Sequence, residues 1–83
     1  MNNDDPFVIR ESCPVCGQGR IFIALGRQAK DMFVMCEDCE SEWDSPEQAL
    51  AGARPTRDEH PFTRFADADD LEGHPWLGFV VNR

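Results

Sequence analysis

The four cysteines carry the clearest chemistry in this chain. They form two matched pairs, Cys13-Pro14-Val15-Cys16 and Cys36-Glu37-Asp38-Cys39, separated by nineteen residues. Two CxxC units across a connection of roughly 15–20 residues make the pattern of a four-thiolate zinc site. The reason is geometric. A gap of two residues lets the backbone curl until both sulfurs face one point, ~2.3 Å from a metal ion. Gly17 follows the first pair, where the turn of the knuckle is tight enough for a side chain to crowd the backbone. Four sulfurs fill a tetrahedral shell and leave no position for water or substrate. The expectation is one structural zinc ion on Cys13, Cys16, Cys36 and Cys39, and no enzyme activity.

Other uses of the thiols fit the sequence less well. A redox pair opens a helix in a βαβ setting, whereas Cys16 is followed by glycine and a β-branched run. Iron is the nearer rival. An iron site of the rubredoxin type also uses two knuckles, usually both followed by glycine, but here Glu40 follows Cys39. Zinc is therefore the favoured ion. A structural zinc ion contributes on the order of 10 kcal/mol or more to folding, which exceeds the net stability typical of a small domain. A chain of 83 residues buries only a modest core and benefits from such a staple.

The elements that must position the cysteines can be read from pattern. Residues 1–6 form a polar lead. Phe7-Val8-Ile9 reads as a short strand before the first knuckle, and Arg20 to Leu25 as a β-branched and aromatic strand. Gly26 to Asp31 is turn-like, and Met32 to Met35 returns the chain to Cys36. Glu40 to Trp43 reads as a third short ribbon strand. Ser45-Pro46-Glu47-Gln48 is a helix start, with a capping serine and proline at the first helical position. That helix ends near Gly52. Ala53 to Pro61 reads as a loop, Asp67 to Leu71 as one or two helical turns, and Trp76 to Val81 as a strand or extended segment. The fold expected is a small metal-stabilised β-rich (α+β) single domain. It has a three-stranded zinc ribbon over 7–44, a short helix over 45–52, and a loop and C-terminal segment over 53–83.

The stretch from Cys13 to Trp43 resembles the zinc-ribbon superfamily, with CPxCG, a hairpin, a second CxxC and a short third strand. The tail from Trp43 to Glu47 is similar to that of small uncharacterised bacterial ribbon proteins. Some of those lie near toxin systems, and the resemblance implies an immunity or regulatory role. Transcription-type ribbons place an acidic pair at the hairpin tip. Here the tip is Gly26-Arg27-Gln28-Ala29-Lys30-Asp31, without that pair. Only the four cysteines carry over from the superfamily.

Charge narrows the choice of partner. The net charge is −8, and all of it falls in residues 37–83. Such a balance argues against general binding to nucleic acid or anionic membranes. No apolar run approaches the ~20 residues of a membrane helix. The polar, acidic start lacks the features of a secretory signal. The expected location is the cytoplasm, where paired cysteines serve metals more than disulfides. Glu37, Asp38, Glu40, Glu42, Asp44 and Glu47 form an acidic run without a base. The partner-binding residues expected from it are Glu37, Asp38, Glu40 and Glu42, with Trp43. Trp43, Trp76, Phe22, Phe33 and Phe79 also read as core residues for so thin a domain, and His60 and His74, each before proline, as loop residues. The functional expectation is a small acidic adaptor or inhibitor of a basic protein partner, with no small-molecule substrate and no membrane. The alternative is a nucleic-acid-binding or transcription-associated ribbon using Arg20, Arg27 and Lys30.

Overall fold

The computed structural model describes residues 7–27, 31–57 and 60–82. The polar lead 1–6, the tip residues 28–30 with Lys30, and residues 58–59 of the long loop lie outside the described residues. The sheet begins with β1 (Val8–Arg10), β2 (Ile21–Leu25), β3 (Met32–Cys36) and β4 (Glu42–Trp43), in that spatial order and antiparallel throughout. Helix α1 (Pro46–Leu50) follows, then β5 (Arg64–Phe65), helix α2 (Ala68–Leu71) and a 3₁₀ helix over Pro75–Phe79.

The β2–β3 hairpin is the centre of the domain. Its register pairs Ile21 with Cys36 and Leu25 with Met32, so β3 delivers the second knuckle beside the chain leaving the first. All five residues of β2 are buried. A strand with no polar alternation has both faces covered. Ile21, Ile23 and Leu25 face the main core with Val34, Cys36, Trp43, Ala49 and Leu71. The alternate residues point the other way, where Phe65 meets Phe22 edge-on at 4.9 Å and His60 stacks on Phe33.

Short elements are held by specific caps. Ser45 Oγ accepts the Gln48 N–H at 3.4 Å, and Pro46 stands at the first helical position. Arg10 then reaches the other end of α1, where its guanidinium donates to the carbonyls of Ala49 and Leu50. The Ala49 carbonyl also accepts the Gly52 N–H at 3.2 Å, and the last carbonyls of so short a helix otherwise lack partners within it. Asp67 and Asp70 form a reciprocal cap on α2. Arg64 donates to both Asp70 oxygens, at 2.8 and 3.2 Å, and so ties β5 to α2.

Two expectations are corrected. Among the described residues the sheet has five strands rather than three: β1 joins it as an edge, and β5 pairs with β2 at Ala24 and Leu25, within the span 53–83 expected as a loop and C-terminal segment. The segment from Trp76 is not extended. Pro75 fixes the first φ of a 3₁₀ helix, and His74 Nδ1 accepts the Trp76 N–H at 3.0 Å as its cap. In the loop that follows α1, Thr56 forms a bridge to Glu42.

Candidate metal centre

Each knuckle curls because backbone N–H groups aim at sulfur. In the first, the Val15 N–H donates to Cys13 Sγ at 3.3 Å and the Gly19 N–H to Cys16 Sγ at 3.5 Å. In the second, the N–H groups of Asp38 and Cys39 both donate to Cys36 Sγ, at 3.3 and 3.4 Å. Ser41 adds a hydroxyl that lies 3.2 Å from Cys39 Sγ and can donate to its thiolate. These donors stabilise negative sulfur.

The knuckles bring all four Sγ atoms within 4.8 Å of one another. Cys13 and Cys39 are 3.7 Å apart, and so are Cys16 and Cys36. A tetrahedral ion with ~2.3 Å bonds to sulfur requires edges of ~3.8 Å. The cluster therefore has the size of a four-sulfur metal shell, with one thiol pair from each end of the hairpin. Cys13 and Cys36 are buried, Cys16 and Cys39 half-buried.

The four thiols are not equivalent. Burial pushes the Cys36 thiol up to about 12, against the N–H groups that point at it. Burial also works against Cys39, but Ser41, through its hydroxyl and its N–H, and the neighbouring thiols outweigh it and bring Cys39 down to about 6. The N–H groups of Gly19 and Gln18 lower Cys16. A cation in the centre is what makes four thiolates compatible in this volume.

Gly17 takes φ of +73°, as the tight turn requires. Sequence reading missed Gly19. A Cβ there would lie 2.6 Å from Cys36 Sγ and 2.7 Å from Asp38 Cβ, so only glycine lets the first knuckle press against the second. It also missed Ser41, whose type carries no metal signal by itself. Glu40, at the place after the second knuckle that Gly17 holds after the first, adopts φ of +63°.

The remaining candidate residues divide into exposed and buried ones. Glu37, Asp38 and Glu40 are exposed. Glu37 accepts from the Arg20 guanidinium at 3.0 Å, and that bond holds its carboxyl below the usual range. Glu42 and Trp43 cannot join an exposed contact face, because only 4 % and 2 % of their surface is accessible. Trp43 is core, with its indole N–H on the Ala53 carbonyl at 2.8 Å. The carboxylate of Glu42 faces His60, so His60 is no idle loop residue. Arg20, besides its bond to Glu37, lies over the Phe22 ring at 5.0 Å. Arg27 is exposed at the hairpin tip, and Lys30 lies outside the described residues. Among the described residues, no helix is long and apolar enough to cross a membrane.

The sequence matches no protein-family model, and neither a curated protein nor a solved structure matches it.

Proposed function

We propose that Cys13, Cys16, Cys36 and Cys39 hold one structural zinc ion in a zinc-ribbon centre. The domain it stabilises would serve as an acidic protein-binding module. The observation that supports the metal reading best is the pair of 3.7 Å sulfur contacts between the knuckles. An all-sulfur tetrahedral shell selects zinc or iron among common ions, and a closed shell is the arrangement of structural zinc. The chain's own residues contribute shape and hydrogen bonds: N–H groups and Ser41 orient the sulfurs, while β2 and β3 fix the distance between the knuckles.

The binding reading rests on charge. Four thiolates with one divalent ion leave the centre about −2, and exposed Asp38 and Glu40 stand on the second knuckle beside it. Long-range attraction to a basic protein follows. The nucleic-acid reading draws less support, since Arg20 is engaged by Glu37. Native mass spectrometry of the gently purified protein tests both parts, reading metal mass and any retained partner together. One zinc and a basic protein that dissociates as salt is raised fit the proposal. Retained nucleic acid, or no partner at any salt, contradicts the binding part and leaves the metal part to its own mass.

A further inference from the structure

Thr56 and residues 60–65 lie against the sheet, with His60 on the face opposite the main core. Backbone bonds fasten them at both ends. Thr56 exchanges two with Glu42, at 2.8 and 2.9 Å, while Thr63 and Ala66 donate to Leu25 and Ile23 at 2.8 and 3.0 Å. Between these ends, among the described residues, the His60 ring meets the sheet. Its ring stacks on Phe33 with centroids 4.6 Å apart and planes 16° from parallel. Phe33 has no accessible surface.

Both ring nitrogens of His60 face carboxylates. Nδ1 is 2.8 Å from Glu42 Oε1, and Nε2 is 2.9 Å from Asp44 Oδ1. The His60 backbone N–H donates to the same Glu42 oxygen at 3.1 Å. An ionised carboxylate only accepts, and a neutral imidazole carries one N–H. Only the imidazolium can donate to both acids. In the neutral ring, one lone pair must face a carboxylate. Asp44, whose side chain is 73 % exposed, can turn into water, but Glu42, at 5 %, cannot. Loss of the positive charge therefore leaves a buried carboxylate poorly compensated.

We infer that His60 is a protonation-controlled latch. As the imidazolium it clamps residues 60–65 onto the sheet between Glu42 and Asp44. Deprotonation loosens that segment and uncovers Phe33. Among the described residues, Glu42 and Asp44 are the charged groups that meet the ring, and β3 presents only the Phe33 face. Burial alone would lower the affinity of His60 for its proton, but the two carboxylates outweigh it, and the group is raised above its ordinary value. The clamp is thus fully present below the unfolded-state value of ~6.5. It is lost as pH rises through the higher folded-state value.

The test is an NMR titration of the metal-loaded full chain from mildly acidic to mildly alkaline pH, with metal retention checked by native mass spectrometry. It follows the His60 ring and the exchange protection of the Glu42, Thr56, Thr63 and Ala66 amides, corrected for intrinsic exchange. The expected result is a His60 midpoint above that of free histidine, with protection falling in step with it. Asp44→Asn, at an exposed site, should shift the midpoint downward, and His60→Gln should abolish the pH-dependent step. A midpoint at or below the free value would overturn the inference. So would protection that stays flat across the His60 titration, or an Asp44→Asn variant with an unmoved midpoint.

Discussion

Gly17 and Glu40 occupy the same position in the two knuckles, and both take the left-handed backbone conformation, with φ of 73° and 63°. For glycine this conformation carries no Cβ penalty. For a residue with a side chain it costs roughly 1–2 kcal/mol. The shape of the turn is therefore set by the need to aim two sulfurs at one point, and glycine merely makes that shape easier. The second knuckle offsets its strain with neighbours. The Cys36 N–H donates to the Ser41 carbonyl, the Glu37 N–H to the Arg20 carbonyl, and Ser41 reaches Cys39 Sγ. The first knuckle closes in a similar way, with the Gly17 N–H on the Cys13 carbonyl and the Cys13 N–H on the Gly19 carbonyl. A glycine after a CxxC is thus not a necessary sign of the knuckle.

The sharpest break in this comparison comes from the ligands themselves. Cys36→Ser should cost most of the ~10 kcal/mol or more that the metal supplies, because Cys36 is fully buried and accepts two N–H groups. The expected outcome is an unfolded chain by circular dichroism. Cys16→Ser, at a half-buried position, should retain more sheet signal at saturating metal.

Next in size is the contact between knuckles. Gly19→Ala places a methyl group 2.6 Å from Cys36 Sγ and should destabilise the metal-loaded protein in a denaturant titration. Overpacking of that kind costs typically ~1–3 kcal/mol. Ser41→Ala removes the hydroxyl near Cys39 and should weaken metal affinity about tenfold in competition with a chromogenic chelator. The smallest effects have opposite signs. Gly17→Ala, in open space but at positive φ, should cost about 1 kcal/mol, whereas Glu40→Gly should gain about 0.5 kcal/mol once the entropy of glycine is subtracted. Equal effects of the two changes in denaturant titrations would show that the second turn is unstrained.

The knuckles were legible because ligand spacing is a local constraint: Cys13, Cys16, Cys36 and Cys39 announce themselves by position. The α1 start was legible for the same reason, since Ser45 and Pro46 act within one turn. What escaped depends on distant partners. Arg64–Phe65 is too short to show a period of two, and it becomes a strand only because β2 offers a free edge at Ala24 and Leu25. Glu42 lies in a run of acids that reads as an exposed partner-binding surface, yet it is buried with His60, eighteen residues away, against its carboxylate. The apolar run from Trp76 fits a strand or a helix equally well over so few residues. Pro75 and the His74 cap decide it for 3₁₀. Gly19 escaped because its function is a clearance, visible only once Cys36 and Asp38 stand beside it.

The central claim is that these four sulfurs hold one zinc ion on which the fold depends. X-ray absorption at the zinc edge, with circular dichroism before and after chelation, tests it most directly. The expected result is one zinc per chain, four sulfur neighbours at ~2.3 Å, and loss of the sheet signal when the ion is removed. Nitrogen or oxygen in the shell, iron in place of zinc, or a spectrum unchanged by chelation would contradict it.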